Sequence, residues 1–221
     1  MKIILDYKYD KNEIIIVKID DISYKFDING QSAIVSTSDY KYIEDAVKII
    51  KEKRPYVYKY HSLNNDFYQE FDKVFTFKLP INVIQPSKFF IDKELLGKID
   101  ENIDEENVFF PVAIINDEYV LLDGHARLYA LNENYIKMVN VYIEKYEDYI
   151  PDFIYIAKEN NIKNIKNLDV LEHDDYEKYW NEFLKQFNIW LKEALLSLLI
   201  NSLSYLMELE FVRLYLQIHL V

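Results

Sequence analysis

The chain of 221 residues is 50% hydrophobic and 16% aromatic, and its 26 basic and 38 acidic side chains give a net charge of −12. This hydrophobic content supports one large or two small folded domains and excludes a disordered chain. The absence of cysteine excludes disulfide scaffolds, iron–sulfur sites, cysteine-ligated zinc sites and thiol enzymes, and the negative charge disfavours non-specific binding of nucleic acids.

Residues 1–75 are predicted to form a small α+β unit. Segments rich in isoleucine and valine, or with alternating patterning, predict three strands: Ile3–Leu5, Glu13–Ile19 and Ser23–Ile28. From Tyr42 the apolar spacing becomes helical, and Pro55 limits that helix. We therefore expect a hairpin, a third strand and one helix.

Residues 76–146 are predicted to form a second domain with a mixed sheet. Strands are expected at Val74–Phe77, Leu79–Ile84, Phe110–Ile115, Tyr119–Leu122 and Lys137–Ile143. A helix is expected over Ile91–Ile99, and the acidic run Asp100–Glu106 is expected to be a solvated loop. This part of the chain is the most acidic, because residues 79–150 contain 6 basic and 14 acidic side chains.

Residues 147–221 are predicted to form a helical C-terminal extension, including a helix over Tyr176–Phe187. Twelve of the last 38 residues are leucine, which predicts a separate packing unit, a homo-oligomer interface or a segment foreign to the rest of the fold. The uncharged stretch Ala194–Met207 is shorter than the roughly 20 residues that span a bilayer, so no membrane association is expected. The N-terminus has early charges and no long apolar run, so the expected compartment is the cytoplasm.

One segment, Glu118–Leu131, carries residues that suit a specific chemistry, and it is predicted to be a strand, a tight turn and a helix. The first turn of a helix leaves N–H groups unpaired at the positive end of the helix dipole, and Gly124 allows close approach to the backbone. Arg127 adds a planar donor fork suited to phosphate, and His125 can donate a hydrogen bond or carry a proton. Asp123 can cap the helix or bind magnesium.

The order of elements around this motif resembles the superfamily of ParB N-terminal domains and sulfiredoxins. The segments that carry the resemblance lie within residues 79–144 and read INVIQP, FFPVAII, EYVLLDGHARLYAL and MVNVYIE. In that superfamily the motif reads Gly-Glu-Arg-Arg in partition proteins, Gly-Cys-His-Arg in sulfiredoxins and Asp-Gly-His-His-Arg in free serine kinases. The sequence here, Asp123-Gly124-His125-Ala126-Arg127, is most similar to the serine-kinase type.

The resemblance implies a protein that binds nucleotide phosphates, with ATP, ADP or CTP and magnesium as cofactors. It implies that Gly124, His125, Ala126 and Arg127 contact the phosphates and that Asp123 places the magnesium ion. It also implies catalytic roles for Asp123 and His125 in phosphoryl transfer to a small hydroxyl-bearing acceptor such as serine.

Departures from the family patterns leave other functions open. His125 occupies the position of the sulfiredoxin cysteine, so reduction of sulfinic acids is excluded. Serine kinases carry a carboxylate shortly after the proline that ends the first strand, whereas Pro86 is followed here by Ser87 and Lys88, and the next acids are Asp92 and Glu94. The alternatives are a partition-type module, whose nucleotide state controls DNA or protein binding without turnover, and a degenerate interaction domain.

Three further histidine-containing segments are interpreted as structural. Glu172–Asp175 has the composition of a metal cluster, but consecutive residues cannot all face one ion, so a helix start is expected. His61 lies in an alternating aromatic stretch that is expected to pack a core rather than to stack on bases. His219 belongs to the leucine-rich tail and is expected to lie at a packed or frayed end.

Overall fold

The computed structural model describes residues 3–9, 12–99 and 103–187, and the chain divides into two compact units, Met1–Glu172 and His173–Val221. Residues 188–221 lie outside the described residues, and with them Ala194–Met207, His219 and the predicted oligomer interface, as do positions 100–102 of the acidic run. No helix in the described ranges is long and apolar enough to cross a membrane. The combination of sheets and helices confirms the predicted α+β class.

The first unit begins with a six-stranded sheet. Its strands, in spatial order, are β1 (Ile3–Tyr9), β2 (Glu13–Ile19), β3 (Ile22–Asn29), β4 (Ser32–Ser36), β5 (Lys59–Ser62) and β6 (Tyr68–Glu70). Neighbouring strands are antiparallel except β4 and β5, which are parallel because helix α1 (Ile43–Lys53) carries the chain back between them. Alternate residues of β2 are buried, as expected for a strand with one covered face.

A five-stranded mixed sheet follows in the same unit. Its strands, in spatial order, are β7 (Thr76–Pro80), β12 (Met138–Ile143), β10 (Phe109–Ile115), β11 (Glu118–Leu121) and β8 (Ile84–Pro86). Two short strands, β9 (Phe90–Asp92) and β13 (Asp169–Leu171), pair separately. The helices are α2 (Lys93–Leu96), α3 (His125–Glu133) and α4 (Ile150–Glu159), and α3 connects β11 to β12.

Two predicted elements are wrong in their extent. The strand predicted over Leu79–Ile84 is interrupted by a 3-10 turn at Ile81–Val83, so that β7 and β8 lie on opposite edges of the sheet. The helix predicted over Ile91–Ile99 is reduced to the four residues of α2, because Ile91 pairs with Val170 in a strand. A strand partner so distant in sequence leaves no trace in the local pattern.

Aromatic packing holds the six-stranded sheet against the five-stranded sheet. The rings of Tyr56 and Phe109 stack with their centroids 4.6 Å apart, and the ring of Tyr142 lies 5.4 Å from that of Tyr56. All three residues are buried and belong to the core that β2, β3 and α1 form. As a result, Glu13 at the start of β2 comes within 3.9 Å of Arg127 in α3.

The described part of the second unit is helical from residue 173 to residue 187, which confirms the helix predicted over Tyr176–Phe187. Ring stacking supports it, because the centroids of Trp180 and Phe183 are 5.6 Å apart. The helix begins directly after Glu172, as expected for a helix start.

Candidate functional site

The predicted strand, turn and helix are present, since β11 ends at Leu121 and α3 begins at His125. Gly124 between them has φ +85°, a left-handed conformation that residues with a side chain rarely adopt. A Cβ at this position would lie 3.0 Å from both the Phe110 ring and Nη2 of Arg127. The turn therefore requires glycine for its backbone conformation and for its close packing.

The N-terminus of α3 is the positive end of a nine-residue helix, and no side-chain hydrogen bond caps it. The N–H of Leu128 donates to the carbonyl of Gly124 at 2.9 Å, so the helical hydrogen bonds begin there. The earlier N–H groups of the first turn have no acceptor within the helix. Ala126 in this turn is buried and adds only a methyl group. A helix start of this kind favours anions.

Arg127 is buried beside the start of α3, with 5% of its surface exposed. Its Nη2 lies 3.8 Å from Oδ2 of Asp123, and its Nη1 lies 3.9 Å from Oε1 of Glu13. The guanidinium carbon also lies 5.7 Å from the centroid of the Phe110 ring, within the range of a cation–π interaction. Arg127, the residue predicted to contact phosphate, is thus held between two carboxylates and the face of an aromatic ring.

Glu13 is also the partner of a second buried arginine, Arg54. Nε of Arg54 donates to Oε2 at 2.9 Å and Nη2 donates to Oε1 at 2.5 Å, while the Tyr56 hydroxyl donates to Oε2 at 3.2 Å. Burial opposes ionisation, but the charge of Arg127 and the hydrogen bonds from Arg54 outweigh it and hold the pKa of Glu13 below its usual value. Glu13 is therefore a carboxylate at neutral pH.

Sequence reasoning missed Glu13 and Arg54, although two signals were present. The alternation of β2 places Glu13 on the same buried face as Ile15 and Val17, and a charged residue in that register needs a partner. The chain also has only three arginines, Arg54 among them, against 23 lysines. Arginine is the residue that binds carboxylates through a planar fork, so each one was a candidate for a specific pair.

His125 is 4% exposed and accepts a hydrogen bond at Nε2 from the backbone N–H of Ser87, at 3.1 Å. The Ser87 hydroxyl donates to the Leu121 carbonyl at 2.6 Å. Burial lowers the pKa of His125 to about 3, and the positive charge of Lys88 adds to this effect. Neutral His125 therefore carries its proton on Nδ1, and Nδ1 has no hydrogen-bond partner among the described residues.

Asp123 lies at the exposed edge of the site, with 65% of its side chain accessible. Partial loss of hydration would raise its pKa, but the charge of Arg127 and the N–H of Gly124 outweigh that effect and lower the pKa of Asp123. Glu144, which follows β12, behaves in the opposite way: burial raises its pKa, and the charge of Asp123 adds to the rise despite a hydrogen bond with Tyr142. The site therefore has an ionised acid at its edge and a second acid that holds its proton more tightly.

The side chains of this site suit magnesium only when phosphate groups supply part of its coordination shell. In the part of the chain that the structure describes, no group of three or more histidine and acidic side chains is able to hold a metal ion. Magnesium in phosphate sites takes one or two carboxylates and completes its shell with water and phosphate oxygens. The exposed carboxylate of Asp123 meets that requirement.

The other predicted acids and His61 have local roles. Asp92 accepts a hydrogen bond from the N–H of Glu94 at 2.9 Å, and Glu94 pairs with Lys98 at 2.7 Å, so both acids serve α2. His61 lies on β5 beside Tyr60, which is fully buried, so the aromatic stretch packs a core as expected.

Neither a family model nor a curated protein matches the chain, but solved structures match part of it. The protein Atu1540 of Agrobacterium tumefaciens is 16% identical over 45% of this chain and 62% of that one, with a TM-score of 0.33. The C-terminally truncated chromosome-partitioning protein ParB of Caulobacter crescentus, in complex with CTP-gamma-S, is 20% identical over 41% of this chain and 54% of that one, with a TM-score of 0.29. The matched region spans less than two thirds of either structure.

Proposed function

We propose that the chain binds the phosphates of a nucleotide at the N-terminus of α3, with ATP, ADP or CTP as ligand. The observation that carries this proposal is the buried Nδ1–H of His125, which lies in the first turn of α3 and has no partner among the described residues. A buried donor without an acceptor costs about 1–3 kcal/mol, and a phosphate oxygen would remove that cost. Arg127 in the same turn supplies a buried positive charge.

The finer proposal is transfer of a phosphoryl group from the nucleotide to a small hydroxyl-bearing acceptor such as serine. In this reaction Asp123 holds magnesium together with the phosphates, and magnesium neutralises the charge that develops on the transferring group. His125 and Arg127 act as donors to the phosphate oxygens. At neutral pH His125 does so as a neutral imidazole, because burial keeps its pKa near 3.

A module that binds nucleotide without turnover is the second candidate. The observation that favours it is that both acids after Pro86 already have structural partners. Asp92 caps α2, and Glu94 pairs with Lys98. Acids engaged in such local contacts are poorer acceptors for the proton of an incoming hydroxyl group.

Calorimetric titration with ATP, ADP, CTP and GTP, each with and without magnesium, tests nucleotide binding. Arg127→Lys keeps the charge but loses the planar fork, so we expect affinity to fall about tenfold or more. Lys158→Ala removes an exposed cation that pairs with Glu118 and is expected to leave affinity unchanged. Absence of binding to every nucleotide by the wild-type protein would overturn the proposal.

Phosphorus NMR with the bound nucleotide, magnesium and serine separates the two candidates. Appearance of phosphoserine indicates the kinase, and an unchanged terminal phosphate of the nucleotide indicates the binding module. Asp123→Asn tests the metal role: without magnesium it is expected to tighten nucleotide binding, because a negative charge beside Arg127 is removed, and with magnesium to weaken it. Tighter binding under both conditions would rule out Asp123 as a magnesium ligand.

A further inference from the structure

Two of the three arginines in the chain meet at one buried carboxylate. Arg54 follows α1 and Arg127 lies in α3, and the third arginine, Arg213, is outside the described residues. Oε1 of Glu13 lies 2.5 Å from Nη2 of Arg54 and 3.9 Å from Nη1 of Arg127. Because the chain uses lysine for nearly all its other positive charges, this convergence marks a position where the shape of the guanidinium matters.

The two arginines relate to Glu13 in different ways. Arg54 binds both carboxylate oxygens in a fork, and the Tyr56 hydroxyl contacts Oε2, so Glu13 is fixed from two directions. Arg127 lies at ion-pair distance from this fixed carboxylate. With the carboxylate of Asp123, which lies 3.8 Å from Nη2 of Arg127, the groups around Arg127 carry two negative and two positive charges.

We propose that Glu13 is a positioning residue for Arg127, and that the cluster of Glu13, Arg54 and Tyr56 holds the Arg127 guanidinium at the N-terminus of α3. The inference rests on the proposed nucleotide site. It extends that site to β2, which carries Glu13, and to the end of α1, which Arg54 follows. The two carboxylates beside Arg127 then differ in role. The side chain of Asp123 is 65% exposed and can give way to a phosphate, whereas that of Glu13 is 6% exposed and stays in place.

Nitrogen-15 NMR of the arginine side chains tests this positioning, because only three Nε–Hε resonances are expected and Arg127→Lys assigns one of them. In Glu13→Gln we expect the Arg127 resonance to shift and broaden. Nucleotide affinity is expected to fall about tenfold, because the lost position of the guanidinium outweighs the removal of one negative charge beside it. Glu118→Gln, which removes an exposed carboxylate paired with Lys158, is the matched control and is expected to change neither.

Tyr56→Phe is the second variant, because Glu13→Gln removes a charge that compensates buried Arg54 and can impair folding. It removes only the hydroxyl that lies 3.2 Å from Glu13 and keeps the ring that stacks on Phe109. We expect a smaller shift of the Arg127 resonance and an affinity loss of about threefold.

An unchanged Arg127 resonance in folded Tyr56→Phe and Glu13→Gln overturns the positioning role. A shifted resonance with unchanged or tighter nucleotide binding overturns the link to the phosphate site. If the wild-type protein binds no nucleotide, the proposed function fails, while the Arg127 resonance still decides whether Glu13 positions the guanidinium.

Discussion

Acidification is expected to destabilise this protein through His125. Burial lowers the pKa of the folded-state imidazole from 6.5 to about 3, with the charge of Lys88 adding to the effect. Between these two values the unfolded chain binds one more proton than the folded chain does. The contribution of neutral His125 is therefore fully present above about pH 6.5 and is lost progressively as the pH falls toward 3.

The size of the effect follows from the difference in pKa. One proton of difference changes the free energy of unfolding by about 1.4 kcal/mol for each pH unit. At pH 5 the solution is about 1.5 units below the pKa of an unfolded histidine. Lowering the pH from 8 to 5 therefore reduces the free energy of unfolding by about 2 kcal/mol through His125 alone. Typical domains have about 5–15 kcal/mol of stability, so the protein is expected to stay folded while this loss is measured.

Urea unfolding followed by circular dichroism at pH 8 and pH 5 provides the assay, with wild type compared with His125→Gln. The other titratable groups are the same in both proteins, so the difference between the two pH dependences isolates His125. Ser87→Ala is the control. It loses the hydroxyl, which donates to the Leu121 carbonyl and lies 3.4 Å from Nε2 of His125, but it keeps the N–H that donates to Nε2 at 3.1 Å, so the wild-type pH dependence is expected. Equal pH dependence in wild type and His125→Gln would refute the neutral, buried imidazole.

Two further substitutions test the turn and the buried arginine pair. Gly124→Ala is expected to lower the free energy of unfolding by about 1–2 kcal/mol for its left-handed backbone, and by more because the new methyl group meets the Phe110 ring at 3.0 Å. Gly97 has φ −66°, and a Cβ there would have its nearest neighbour at 3.4 Å, so Gly97→Ala is expected to change the free energy of unfolding by about 0.5 kcal/mol or less. Equal losses for the two variants in urea titrations would contradict the requirement for glycine at position 124. Arg54→Met is expected to cost about 3–5 kcal/mol, because Glu13 loses its bidentate partner while it stays buried. Glu118→Gln removes one partner of the exposed pair with Lys158 and is expected to cost less than about 1 kcal/mol. Similar costs for Arg54→Met and Glu118→Gln in chemical denaturation would show that the pair of Arg54 and Glu13 is not desolvated.

The elements that the sequence alone determined are those with a local physical cause. Isoleucine and valine content predicted β2, period-two alternation predicted β3, and helical spacing before Pro55 predicted α1. The turn before α3 was predictable because Gly124 readily adopts positive φ. The capping role that was open to Asp123 is not observed, since no side-chain hydrogen bond caps α3. The candidate phosphate motif is contiguous, so its position could be read directly, whereas the individual roles of its residues and the domain boundaries stay predictions.

Tertiary structure decided which side chains surround that motif. Glu13 and Arg54 are 41 positions apart, and Ser87 and His125 are 38 apart, so no local pattern pairs them. They meet because the Tyr56 ring stacks on Phe109, which holds the six-stranded sheet beside α3, and because β8 pairs with β11, which brings Ser87 to the helix start. The sequence thus determined where the candidate phosphate motif lies, and only long-range packing decided that its arginine is held by a buried carboxylate and its histidine is kept neutral.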